Sequence, residues 1–394
     1  MDAQLRRTAL WATAIQGLFA LTWALYVAFL PGLLARAGLE AGLAIFFVLL
    51  DQAVFALSDW ASGVYADRLT RTLRRIGPAL TACAIFSSCA LAALPWVAGL
   101  GVPVLLIAVT VLWTASSSAL RAPVFTLLAQ VGGAARPAGT VSLALLGIGV
   151  AGAIAPLFTR TLAQVDAGAA LSVCALSLAI AALFASRLEA KGTPSAQPDA
   201  AATRAPAFFI AALVAVGAFG VQVHTVLLGV RAAKAGAAWA PWWSPAFWTG
   251  FAVGLVIAAF VGRVQGTAPP LRIGAASLVL GALAMSGAQV AGDTVLFAIA
   301  QLVSGAAWAV FTAVAVRAAM AYGGSLGIGS PLGLIFSALA LAALARVALT
   351  VVGWQGGDWV TWAPVIAFAA CGGVLLLFAS GGSRRSTNGA PARP

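Results

Sequence analysis

Twelve long apolar runs constrain this chain more than any other feature. A helix needs about 20 apolar residues to cross the ~30 Å hydrocarbon core of a bilayer. Runs of that kind lie near residues 9–34, 41–66, 76–98, 102–130, 138–163, 167–187, 205–230, 240–262, 271–291, 294–318, 329–352 and 359–380. Of 394 residues, 62% are hydrophobic and only 8% charged, and the mean hydropathy is +1.03. A soluble domain carries about 25% charged residues, so an ordinary soluble globule is excluded. Thirteen Trp against three Tyr suit helix ends anchored at a membrane interface. The expectation is an all-α polytopic protein whose first partner is the lipid bilayer.

The formal net charge is +12, but most of the basic residues sit in loops. Without a basic stripe interleaved with exposed aromatics, nucleic acid is not an expected partner. The charges report topology instead, because loops rich in Lys and Arg stay on the cytoplasmic side. Arg6 and Arg7 precede the first run. That run, from Ala9 to about Leu34, exceeds the ~7–15 residues of a signal core. Ala35-Arg36-Ala37 could mimic a cleavage site, but an uncleaved first span is the expectation. Cytoplasmic loops then hold Arg68, Arg71, Arg74, Arg75, Arg136, Arg187, Lys191, Arg204, Arg263 and Arg272, with Arg384 and Arg385 in the tail. The opposite loops hold Asp166, Asp293 and Asp358, with Arg36, Arg231 and Lys234 as basic exceptions. Both termini are expected in the cytoplasm. All 22 basic residues but Lys191 and Lys234 are arginine, a composition of GC-rich bacterial genomes, so the expected location is a bacterial inner membrane. Cys83, Cys89, Cys174 and Cys371 lie in apolar runs and read as small buried hydrophobes. No spacing suggests a metal site.

The stretch from Asp59 to Arg75 carries the most specific signal. Between the second and third runs it reads Gly63, three residues, Asp67, Arg68, two residues, Arg71. This spacing resembles the loop motif of the major facilitator superfamily, with Thr70 in place of the usual glycine. The resemblance implies twelve helices in two six-helix halves that rock around a central site. It also implies that Asp67 contacts the start of the eleventh helix and supports the outward-facing state. The turn there reads Gly329-Ser330-Pro331, a helix start with Ser as cap and Pro at the first position.

An internal repeat agrees. Arg75-Ile76-Gly77 opens the third run and Arg272-Ile273-Gly274 the ninth, an offset of 272 − 75 = 197. Arg68 and Arg263 lie 263 − 68 = 195 apart, and Gly262 stands where the first copy has Asp67. Residues 188–204, polar and rich in Pro and small residues, fall at the midpoint, 394/2 = 197. The expected domains are an N-terminal half (1–187), a cytoplasmic linker (188–204), a C-terminal half (205–380) and a disordered tail (381–394). Parallel six-span repeats are the facilitator layout. Tyr26-Val27-Ala28-Phe29-Leu30-Pro31 resembles the proline-ended first helix of the family. Gly147, Gly149, Gly152 and Ala155-Pro156 resemble its antiporter motif in the fifth helix. Small residues would let the fifth and eighth helices approach closely, with Gly250 and Gly254 as the matching surface.

Ionisable groups inside a span are costly and mark function or a partner. Asp51 lies ~15 Å into the second run, counted at 1.5 Å per residue. Asp59 lies near its inner end, and Arg121 at similar depth in the fourth; these two are expected to form an ion pair. Arg346 lies ~9 Å from the outer end of the eleventh run. Asp51 and Arg346 are expected to meet across the halves when the outer side is closed, as gate and proton-coupling site. His224 is the only histidine, and its type titrates near neutrality. It is a candidate proton carrier or substrate contact. Gln16, Trp23, Tyr26, Gln222, Gln301 and Trp308 join it as substrate-cavity candidates, because the family lines its cavity with helices one, four, seven and ten.

These readings converge on a secondary active transporter that moves a small organic solute by alternating access. Coupling to protons is expected, with export by antiport. Uptake symport and uniport are the alternatives within transport. No Gly-rich loop ending in Lys-Ser or Lys-Thr is present, so no nucleotide is implied, and no cofactor is expected. A membrane enzyme using His224 would need polar partners at catalytic spacing, and only Gln222 and Thr225 are near in sequence. An enzyme is therefore not expected. A non-transporting sensor on the same scaffold is a further alternative. The expected state is monomeric.

Overall fold

In a computed structural model the described residues are 3–73, 75–132, 139–162, 164–188, 204–261, 268–291, 293–323 and 327–387. Every regular element among them is helical. The spans are α1 (Ala3–Arg36), α2 (Ala41–Leu73), α3 (Gly77–Gly99), α4 (Pro103–Gly132), α5 (Gly139–Leu162), α6 (Ala167–Leu183), α7 (Pro206–Lys234), α8 (Ala240–Val261), α9 (Pro269–Val290), α10 (Thr294–Tyr322), α11 (Gly329–Val351) and α12 (Trp359–Ser380). Eleven are long and apolar enough to cross a membrane, and α6 is shorter at 17 residues. Leu57, Trp96, Leu283 and Leu377 point outward and are mostly exposed, as lipid-facing side chains must be. The chain is a multi-pass membrane protein of twelve helices in two six-helix halves.

The expected boundaries need two corrections. The arginine-rich stretch after residue 66 is helix, because α2 runs on to Leu73. No Gly or Pro interrupts residues 64–76, and arginine and leucine favour helix. Thr70 and Thr72 donate their hydroxyls back to the Ala66 and Arg68 carbonyls. The helix of α12 likewise continues past Ser380 to Thr387, into the segment expected as a disordered tail. Linker residues 189–203, the end of the tail, Arg74, Arg136, Lys191, Gly262 and Arg263 lie outside the described residues.

Two spans are interrupted, and both interruptions carry chemistry. In α4 the α-helix stops at Ser117, a 3-10 turn covers Ser118–Leu120, and Arg121 has φ −109° and ψ −97° before helix resumes at Ala122. Pro123 forces this, since it has no N–H to donate and clashes with the preceding turn. In α7 residues Val223–Leu228 form a π-turn, a distortion that frequently marks functional sites.

The halves meet along α2 with α11 and α5 with α8. Gly63 and Gly329 pack backbone against backbone, so a Cβ on either would collide with the other's main chain. One turn on, a Cβ at Gly333 would lie 2.7 Å from the Asp59 carbonyl. The second seam is partly as expected. Gly149 faces Phe251 and Ala252, and Gly152 holds the ring of Trp248. Gly147 instead packs on Thr13 and Gly17 of α1. Two residues apart on a helix is about 200°, so Gly147 and Gly149 cannot serve one neighbour. Gly250 and Gly254 turn to Leu302 and Ala306 of α10 within their own half, and Pro156 is exposed.

Gly63→Ala should pry α2 from α11 at an overpacking cost of about 1–3 kcal/mol. With the four native cysteines replaced, a cysteine at the buried Ala66 should become faster to label with a maleimide in this variant. Equal labelling with and without the alanine would show that the seam has room to spare.

Candidate functional site

A buried acid in lipid must find donors, and the structure shows what each one found. Asp67, at the arginine-rich end of α2, reaches across to the other half. Its carboxylate accepts from the Gly329 and Ser330 backbone N–H groups, each at 2.7 Å. Helix α11 begins at Gly329, two residues earlier than the Ser-Pro pair suggests, and Ile328 offers no side-chain cap. Ser330 is therefore not the cap. Asp67 supplies the cap from the opposite half, where negative charge meets the positive end of the helix. Gly327, at φ +102°, packs so closely on this carboxylate that a Cβ would collide with it. Arg68 and Arg71 are exposed, and Arg71 Nε donates to the Asp67 carbonyl at 3.3 Å.

Asp59 and Arg121 are brought together. Arg121 Nη1 lies 2.5 Å from Asp59 Oδ2, with the aspartate fully buried and the arginine side chain 14% exposed. The guanidinium also lies over two rings, Phe55 of α2 at 5.1 Å and Phe336 of α11 at 5.2 Å. Phe336 belongs to the opposite half, so Arg121 touches both. The broken α4 backbone is satisfied by neighbours: Gln16 Nε2 donates to the Leu120 carbonyl at 2.6 Å, and Ser62 Oγ to the Ser118 carbonyl at 3.4 Å.

Asp51 and Arg346 are not brought together in this conformation, in which the arginine-rich ends of the halves are joined. Asp51 accepts from the Tyr26 hydroxyl at 3.0 Å and from Thr114 at 2.7 Å, all within the N-terminal half. An aromatic cluster encloses it: Tyr26 and Trp113 rings lie 4.4 Å apart, and Trp23 stacks on Trp113 at 5.9 Å. Arg346 Nε is buried without a hydrogen-bond partner.

His224 is fully buried on the π-turn. Its Nε2 lies 3.0 Å from Gln301 Oε1 of α10, so two cavity candidates from different helices meet. The His224 carbonyl accepts from Trp243 Nε1 at 2.6 Å. His224 Nδ1 and Gln301 Nε2 have no partners. The remaining candidates divide. Trp23 and Gln222 are partly exposed. Gln16 is spent on the α4 break, and Trp308 is buried against Gly217, Phe311 and Phe368, which places it in packing. Sequence reasoning missed Thr114, Phe336 and Trp243 as partners. Only the rule that buried charge and broken backbone need donors pointed to them, without saying from where.

No family model and no curated protein matches the sequence. Solved structures do. A point variant of the E. coli fucose:proton symporter FucP is 17% identical with TM-score 0.64, covering 96% of this chain and 99% of that one. The proton:xylose symporter XylE, described as a major facilitator superfamily protein, is 13% identical with TM-score 0.68, over 96% and 95%. A bacterial homologue of the iron transporter ferroportin in an outward-facing state is 14% identical with TM-score 0.68, over 96% and 99%.

Removing one partner of a buried pair costs about 3–5 kcal/mol, while replacing both with apolar residues is often neutral. Asp59→Leu and Arg121→Leu should each lower the melting temperature more than the double variant does. A double variant less stable than both singles would show that the pair is net stabilising. Asp67→Asn should weaken the join between α2 and α11 without preventing membrane insertion. Equal labelling of a cysteine at Ala66 in both forms would leave Asp67 no role in that join.

Proposed function

We propose, from the major facilitator fold and the joined end, that the chain is a secondary active transporter, moving a small organic solute by alternating access with proton coupling. The observation that carries this is the one-sided join. The hydrogen bonds between α2 and α11 run from Asp67 to Gly329 and Ser330 and from Ser337 to the Ala56 carbonyl, between the middle of the seam and its arginine-rich end. Hydrogen bonds and a Gly–Gly contact can be made and unmade as rigid bodies rock. Opening this end releases them, and closing the other end replaces them. If the arginine-rich end faces the cytoplasm, as loop charge implies, the present conformation is outward-facing. The ferroportin homologue is described as outward-facing as well.

Asp51 is the proposed proton site. It is a central acid held by two hydroxyls, so it can lose or take a proton without breaking a structural ion pair. On closure of the outer side it would meet Arg346. His224 with Gln301 is a second buried polar pair, which we propose meets the solute. Export by antiport remains the direction we propose, resting on Gly149 and Gly152 at the α5–α8 seam. Uptake symport is the second reading, favoured by the likeness to FucP and XylE, both named as proton symporters. The protein is read as a monomer in a bacterial inner membrane with both termini cytoplasmic.

A thermal-shift screen of the purified protein against metabolites and drugs identifies a solute, because a ligand stabilises the state it binds. In proteoliposomes an imposed pH gradient should then drive that solute. Asp51→Asn should abolish gradient-driven movement and leave exchange of labelled for unlabelled solute within a few-fold of the parent. Gradient-driven flux at the parent rate in Asp51→Asn would remove Asp51 from coupling. Absence of any flux would remove the transport reading.

A further inference from the structure

Among the described residues Arg346 has no counter-ion. Among the described residues its Nε is the one arginine nitrogen that is buried with no hydrogen-bond partner. Its own half cannot supply one inside the membrane: the acids after residue 205 are Asp293 and Asp358, and both lie between spans. The one central acid of the other half, Asp51, is held by Tyr26 and Thr114.

Nor does the arginine share the exposed face of α11. Leu341 is exposed, and five residues on, at about 100° each, Arg346 points some 140° away. It shares its stripe instead with Ile335 and Ala342, both buried, at spacings of eleven and four residues. The Gly329, Gly333 and Ser337 stripe that meets α2 lies on a third face. Arg346 thus sits on the inward surface of α11, about 8 Å from the Val351 end at 1.5 Å per residue. A buried guanidinium N–H left there unpaired is costly.

We infer that Arg346 is the anion-binding residue of the solute site, and that the solute carries a carboxylate or a comparable oxyanion. This rests on the transport reading for the word solute, but not for the binding. A guanidinium presents a planar fork of N–H donors that matches a carboxylate in two parallel bonds, and it keeps its charge at any working pH. The solute and Asp51 are then alternative counter-ions of one arginine. An empty site closes with Asp51 ionised against Arg346. A loaded site closes with the solute's anion there and Asp51 carrying a proton, so proton and solute move together, as in the symport reading. Either way the enclosed site is neutral, which is what a low-dielectric cavity favours.

The test is binding to the purified full chain in a neutral detergent stripped of phospholipid. The probes are matched sets: benzoate, benzenesulfonate and phenyl phosphate against benzamide and benzylamine, and propionate and succinate against propionamide. At least one oxyanion should raise the melting temperature, and no neutral or cationic counterpart should. Arg346→Gln should weaken that binding more than tenfold, since hydrogen bonds to charged groups contribute about 1.5–3 kcal/mol. Arg346→Lys should keep the preference for anions at reduced affinity. If Arg346→Gln does not fold, protection of Arg346 from phenylglyoxal by the binding anion, read by mass spectrometry, decides instead. Stabilisation by neutral probes, by no oxyanion, or undiminished in Arg346→Gln overturns the inference. So does an Arg346-dependent shift produced by phosphatidylglycerol alone, which would assign the arginine to a lipid headgroup. No gradient or flux enters this readout. A chain that binds anions and moves none would sink transport and leave the site standing.

Discussion

The contact on which this architecture turns is one carboxylate capping a helix in the other half. The first N–H groups of any helix lack intrahelical partners, and Pro331 removes one from α11 outright. Asp67 takes the Gly329 and Ser330 donors. It can do so only because Gly63 and Gly329 let the two backbones touch. The glycine and the acid of the motif are therefore one device: the first sets the distance and the second uses it. Its scale also suits a moving part. Two charge-assisted bonds amount to a few kcal/mol, and a ligand can shift an equilibrium by that much through differential binding. A dry interface of large apolar side chains would hold the halves more firmly than rocking permits.

The interior polar residues divide by a second constraint. In lipid a broken helix must have its open carbonyls filled. Gln16 donates to the Leu120 carbonyl at the break in α4, and Trp243 donates to the His224 carbonyl at the π-turn in α7. Side chains that look like ligands in the sequence are thus partly scaffolding for the breaks. What the breaks deliver is Arg121 between two phenylalanines and two halves, and His224 within reach of Gln301.

The twelve spans were legible because a bilayer imposes one length on every helix that crosses it, whatever its neighbours. The Asp67 contact was legible because a glycine, an acid and two basic residues at fixed spacing resemble a known motif. The Asp59–Arg121 pair was legible from depth alone. The rest depended on azimuth, which apolar composition does not encode when a helix is hydrophobic all round. Gly147 and Gly149 were assigned to one neighbour and serve two. Gly250 and Gly254 do share a face, but nothing in the sequence says that the face belongs to α10. Trp308 looked like a cavity residue on a cavity helix and fills the space beside Gly217 instead. The end of α2 was drawn short because charge was read as loop, although arginines continue a helix readily once it has left the membrane.

Symmetry of fold with asymmetry of charge gives the two seams different tasks. In a repeat built of parallel halves, the end of α8 would stand to α5 as the end of α2 stands to α11. The first copy places Asp67 there and the second places Gly262. One seam thus has an acid to cap its partner helix, and it is the seam with cross-half hydrogen bonds. At the other, Gly149 and Gly152 receive Phe251 and Trp248 in packing contacts. Packing without directional bonds can slide and roll at little cost, whereas a capped helix end is either capped or not. The α5–α8 seam is therefore suited to serve as the pivot and α2–α11 as the catch. The same imbalance leaves the C-terminal half with Arg346 and no acid in its spans. The acid that answers it must come from the other half or arrive with the solute.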